Sequence, residues 1–113
     1  MSRPTYTFEL PAKLSQQVAV ASVTLVELNA EEEMMATKRA RNDPIRLAFE
    51  LAKESLRAIN GKELNQADGS ADKIWQELHP KVRSLVIQAY GELHNPVEDE
   101  TKAFLKSRQT SVA

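Results

Sequence analysis

Two histidines and two carboxylate runs are the residues whose types could do chemistry: His79, His94, Glu31-Glu32-Glu33 and Glu98-Asp99-Glu100. A metal pair on one helix needs ligands three or four positions apart. The histidines are 15 positions apart, at opposite ends of one expected helix, where they serve the helix termini instead. Paired carboxylates do acid–base work only where burial drives their pKa values apart. Both runs here fall in expected first helical turns, where the helix dipole and solvent account for them. None of the eight serines sits in a nucleophile-elbow pattern or beside a base. Cysteine is absent, which removes thiol chemistry, disulfides and most structural zinc sites. The three glycines, Gly61, Gly69 and Gly91, are too scattered to build a phosphate loop. No catalytic, cofactor-binding or metal-ligating residue is assigned, and no cofactor is expected.

The elements that would position these residues alternate between strand and helix periods. Thr5 to Leu10 puts Tyr6, Phe8 and Leu10 on one face of a strand that Pro11 ends. Leu14 to Gln17 reads as a polar connection. Val18 to Leu28 is β-branched and reads as a strand covered on both faces, the pair forming an antiparallel hairpin. Asn29 caps a charged helix whose only large apolar residues are Met34 and Met35. Adjacent helical positions point about 100° apart, so one methionine is expected to fill the core and the other to lie on a surface. Asp43-Pro44 starts a helix expected to reach Ile59, with Ile45, Ala48, Phe49, Ala52, Leu56 and Ile59 as its buried stripe and Asn60-Gly61 as its stop.

Lys62 to Leu64 is a short candidate strand, and Asn65 to Ser70 an exposed loop. Ser70 is expected to cap a helix over Ala71 to Leu78. His79 to Leu93 is the most regular stretch: Val82, Leu85, Val86, Ala89, Tyr90 and Leu93 recur at the spacing of one helical face. Asn95-Pro96 breaks it. Val97 to Ser107 is a last helix with Thr101, Phe104 and Leu105 inward, followed by a polar tail from Gln109. The expected fold is α+β and mostly helical: an N-terminal β-hairpin packed on a bundle of about five helices. It forms one domain over 1–113, with a hairpin-plus-helices part over 1–64 and a helical part over 70–108.

Hydrophobic residues make up 42% and charged residues 27% of the 113 positions, with a formal net charge of −1. No strong field invites nucleic acid or an anionic membrane. Lys38, Arg39 and Arg41 cluster, but the glutamates before them cancel the charge. No apolar run approaches the ~20 residues of a membrane span, and Met1 to Glu9 has no apolar core of signal-peptide length. A small intracellular interaction protein is the expectation.

Four features resemble the tail assembly chaperones of long-tailed bacteriophages: "FEL" (Phe8 to Leu10) leading into a hairpin, a helix running to "NGK", the stretch "PKVRSLVIQAYGELHNP", and an acidic-start helix ending "FLKSR". The similarity is strongest after Pro44. It implies a non-enzymatic protein of the host cytoplasm. Such a protein binds the tape measure protein and promotes polymerisation of tail tube protein around it. Self-association is compatible with the resemblance, and the family has no catalytic residues to carry over. A chaperone of helical clients needs an apolar face it can lend out, framed by charge. The candidates are Met34 and Met35, with Ile87 and Val97 from the surplus apolar surface of the last two helices. The rival reading is a small structural virion protein of the tail or head–tail joint. A toxin-neutralising or regulatory module is a further one.

Overall fold

The computed structural model describes residues 3–64 and 69–107. The chain runs β1 (Thr5–Glu9), α1 (Ala12–Val18), β2 (Ser22–Val26), α2 (Ala30–Ala40), α3 (Pro44–Ser55), β3 (Leu56–Ile59), β4 (Lys62–Glu63), α4 (Ser70–Glu77), α5 (Pro80–His94) and α6 (Glu98–Lys106). The fold is α+β and mostly helical, as expected. Its four strands form one antiparallel sheet in the order β1-β2-β3-β4.

Several local expectations are corrected. β1 and β2 pair antiparallel, Thr5 opposite Val26 and Glu9 opposite Ser22. They are joined not by a polar turn but by the seven-residue α1, which stops where Ala19 turns left-handed. The second strand is accordingly shorter than Val18 to Leu28.

The helix from Pro44 ends at Ser55, and Leu56–Ile59 crosses into the sheet as β3. Leu56 and Ala58 are both buried, a spacing of two that suits a strand as well as Leu56 and Ile59 suit a helix. The open edge of β2 decides between them. Asn60-Gly61 is then the turn between β3 and β4 rather than a helix stop. Both residues have positive φ, 54° and 77°, the geometry that a tight two-residue hairpin requires and that Asn-Gly tolerates best. Gly69, not Ser70, is the residue before α4, with Ser70 its first helical position. Asn65 to Asp68 and the tail from Gln109 lie outside the described residues.

The pairing of β2 with β3 slips by one between Thr24 and Leu25, leaving Arg57 as the extra residue of a bulge. That bulge lets Arg57 reach the Glu32 carboxylate at 2.8 Å. Glu32 also pairs with Arg3 and accepts from the Asn29 N–H at 3.0 Å, while the Asn29 side chain accepts from the Glu32 N–H at 2.9 Å. This reciprocal box starts α2, and Glu32 joins three segments of chain. The Arg3 hydrogen bond, with help from Asn29 and Arg57, holds the Glu32 carboxyl down at about 2 against the opposing effect of burial.

One core joins both parts of the chain: Val20, Val23, Leu25, Ala52 and Leu56 from the first pack with Trp75, Leu78, Val82, Val86 and Ala89 from the second. α5 is its central helix, lying against α3 and β2. Both of its ends are fixed. Arg83, in its first turn, donates to the Leu78 and Gln76 carbonyls at 2.6 and 3.2 Å, satisfying acceptors that α4 leaves at its C-terminus. At the other end, His94 Nδ1 lies 2.8 Å from the Tyr90 carbonyl and Nε2 accepts from the Leu28 N–H at 2.8 Å. The ring therefore carries its proton on Nδ1 and ties α5 to the start of α2 as a neutral tether. An imidazolium could not make this pair of contacts, because it has no acceptor to offer Leu28. His79 accepts from the Lys81 N–H at 3.1 Å and caps the other end of α5.

Candidate functional site

α2 packs on α3 through small residues. Ala36 and Ala40, one turn apart, are its buried positions, and they let the two backbones approach closely. The methionines are not needed for that contact. Met34 is 59% and Met35 49% exposed, so the expectation that one of them fills the core is corrected. Fully burying a methionine side chain is worth ~1.5–3 kcal/mol, and much of that remains unspent in each.

α3 likewise leaves apolar side chains exposed. Ile45 and Phe49 were expected in its buried stripe, but Ile45 is 71% and Phe49 40% exposed. The buried positions of α3 are instead Glu50, Ala52 and Ser55. The reason lies in what faces each side. Ala52 meets the core, and the Ser55 hydroxyl donates to the Val26 carbonyl at 2.5 Å. Glu50 is held by Arg39 at 2.7 Å and Lys53 at 3.0 Å. Burial alone would raise the Glu50 pKa, but the hydrogen bonds from Arg39 and Lys53 outweigh it and the carboxyl is shifted down. It stays ionised, a structural anion rather than a proton-transfer group. Phe49 meets Trp75 edge-on, ring centroids 6.3 Å apart.

Between α2, α3 and α4 runs a groove made of two adjoining hollows, about 510 and 400 Å³ in volume, that share Arg46, Glu50, Lys53, Asp72 and Gln76. Met35 lines one end and Phe49 the other. Arg39 and Lys53 are neutralised by Glu50, Glu54 and Asp72. Lys38, Arg41 and Arg46 have no ion pair among the described residues. The groove is thus apolar at its ends with uncompensated positive charge on its rim.

The other expected binding residues separate. Ile87 is half-buried against the core and offers little to a partner. Val97 is 54% exposed and precedes α6, far along the chain from the methionines. α6 departs furthest from expectation. Phe104 and Leu105, expected inward, are 74% and 61% exposed. After the break at Asn95-Pro96 the helix stands away from the body, and the molecule measures 59 × 32 × 32 Å.

Sequence reasoning found Met34 and Met35 but missed Ile45, Phe49 and Arg46. The available signal was the excess of apolar positions around α3: Ile45, Leu47, Ala48, Phe49 and Leu51 span more of the helix than one neighbour can cover. Among the described residues no group of three or more His, Asp or Glu is placed to hold a metal ion, and no helix is long and apolar enough to cross a membrane. Comparison with family models, curated proteins and solved structures gave no match.

Proposed function

We propose that this protein is a non-enzymatic tail assembly chaperone of long-tailed bacteriophages. It binds helical segments of the tape measure protein on the α2–α3 face, in the host cytoplasm, and promotes assembly of tail tube protein around them. The observation that carries this reading is the exposure of Met34 and Met35 on a helix that anchors itself through Ala36 and Ala40. Methionine is flexible and polarisable and suits a surface that must accept varied apolar side chains. The charged residues around it, Glu31, Glu33, Lys38 and Arg41, keep such a surface in solution when it is empty. The sequence resemblance supplies the client; the surface supplies the means of holding a helix by its apolar stripe.

The test is co-expression with the tape measure protein of the same genome, followed by affinity purification. The tagged chain is expected to bring down the tape measure protein. The double variant Met34→Asp and Met35→Asp is expected to lose it while keeping an unchanged cooperative melt. Undiminished capture by that variant would overturn the assignment of the surface. Recovery of the chain only in assembled particles would favour the structural virion protein instead.

A further inference from the structure

Positive charge is concentrated at one place on a chain whose formal net charge is −1. The hollow at the α2 end of the groove is lined by five cationic side chains and two carboxylates, with Met35 beside them. Arg39 and Lys53 are paired within the fold, to Glu50, Glu54 and Asp72. Lys38, Arg41 and Arg46 are exposed and have no ion pair among the described residues. Arg41 is held there against its conformational preference. It closes α2 with φ 51° and ψ 47°, a left-handed geometry that glycine adopts freely and a residue with a Cβ does not. Among the described non-glycine residues with positive φ (Ala19, Arg41, Asn42 and Asn60) it alone is charged. A guanidinium kept where glycine fits best, with no partner in its own chain, points to a partner outside it.

We propose that this hollow selects acidic amphipathic helices. The tape measure segments it takes carry carboxylates for Lys38, Arg41 and Arg46, within about one turn of an apolar side chain that seats on Met35. This names the chemistry of the client and rests on the chaperone reading above. Charge complementarity fixes the sign of the partner. Spacing fixes its shape. Met35 and Lys38 are three positions apart on α2, a rise of ~4.5 Å, and Arg46 reaches the same hollow from α3. A client helix presents side chains at that spacing on one face, at i, i+3 and i+4. A small anion would leave Met35 uncovered. A nucleic acid strand needs aromatic side chains on which to stack its bases, and none lines this hollow. Unpaired cations also repel segments of their own sign, so the rim excludes as well as attracts.

The test is fluorescence anisotropy of the full chain with two synthetic peptides, each stapled on its outer face to hold it helical. They share one leucine stripe, flanked by glutamate in one and by lysine in the other. Wild type is expected to bind the glutamate peptide ~10-fold more tightly at low salt, the gap closing as salt screens the charges. Arg41→Glu with Arg46→Glu is expected to reverse the preference. Both positions are exposed, and circular dichroism verifies the fold. If that variant fails to fold, Arg41→Gln with Arg46→Gln replaces it and is expected to abolish the preference. Arg41→Gly is expected to hold or raise the melting temperature while weakening the glutamate peptide. A lower melting temperature with unchanged binding would assign Arg41 to the fold and overturn the proposal. So would equal binding of the two peptides, a preference that the double variant leaves unchanged, or tighter binding of a single-stranded RNA oligonucleotide. Co-expression separates this proposal from the reading it rests on. Tape measure protein captured as well by the Arg41→Glu, Arg46→Glu chain as by wild type overturns the acidic preference and leaves the chaperone standing. Glutamate peptide bound, with no tape measure protein captured, supports the preference and removes the tape measure protein as its source.

Discussion

α5 and α6 are both amphipathic, both follow a proline break, and both show apolar residues at helical spacing, yet they end in opposite environments. Val82 and Val86 of α5 are fully buried, whereas Phe104 and Leu105 of α6 are among the most exposed apolar side chains. The difference does not lie in the apolar pattern. α5 is held at both ends, by Arg83 on the end of α4 and by His94 on Leu28. Among the described residues, the side-chain bonds of α6 are local: Glu100 accepting from the Val97 N–H at 2.9 Å, Lys102 with Glu98 at 3.0 Å, and the Ser107 hydroxyl donating to the Phe104 carbonyl at 2.6 Å. An amphipathic pattern identifies which face is apolar; it takes tertiary anchors to decide what covers it.

The largest test of this contrast exchanges an apolar residue for a charge in each helix. Val86→Asp places a carboxylate where no partner exists and is expected to abolish cooperative folding, since an unpaired buried charge costs several kcal/mol against a total stability of ~5–15. Leu105→Asp is expected to stay within about 0.5 kcal/mol of wild type. Thermal and urea melts followed by circular dichroism read both. Next in size, Val82→Ala removes two buried methyl groups and is expected to cost about 2 kcal/mol; Val97→Ala, at an exposed site, is expected to leave the urea midpoint in place.

Smaller still is Asn29→Ala, which removes the side-chain half of the α2 capping box. It is expected to cost ~1 kcal/mol, visible as a lower urea midpoint with an unchanged slope. The last test reads pH dependence. The Glu32 carboxyl is depressed to about 2 in the folded chain, chiefly by its hydrogen bond from Arg3. Its contribution is therefore complete above the ordinary carboxylate range and declines as pH falls from about 4.5 toward 2. Glu32→Gln is expected to be less stable than wild type at neutral pH, and the gap is expected to narrow across that acid window.

The local grammar of the chain gave most elements. The alternation at Thr5 to Leu10, the Asn29 and Asp43 caps and the face at Val82, Val86 and Ala89 all depend on neighbours in sequence, and all appear in the structure. Leu56 to Ile59 was not legible. Its four residues satisfy a helix and a strand equally, and only the unpaired edge of β2, distant in sequence, selects the strand. The same limit governs the candidate surface. Met34 and Met35 stand out because two adjacent positions on a helix cannot share one narrow stripe. Arg46 and Phe49 join them only when α2 folds back on α3 and α4 closes the groove, a contact that no local pattern announces.

The alanine seam between α2 and α3 has a consequence for the timescale on which the molecule opens. Ala36 and Ala40 bury little apolar area, so α2 is held largely by polar contacts: its caps, Arg39 on Glu50 and Glu54, Glu32 on Arg3 and Arg57, and the His94 tether at its start. α2 can thus detach in a partial opening that leaves Val82, Val86 and Leu25 packed. Its amide protons are expected to exchange with deuterium well ahead of those of α5, and ahead by more when salt weakens the ion pairs. A surface mounted on such a segment need not be presented rigidly, because it can peel back and reseat around what it holds.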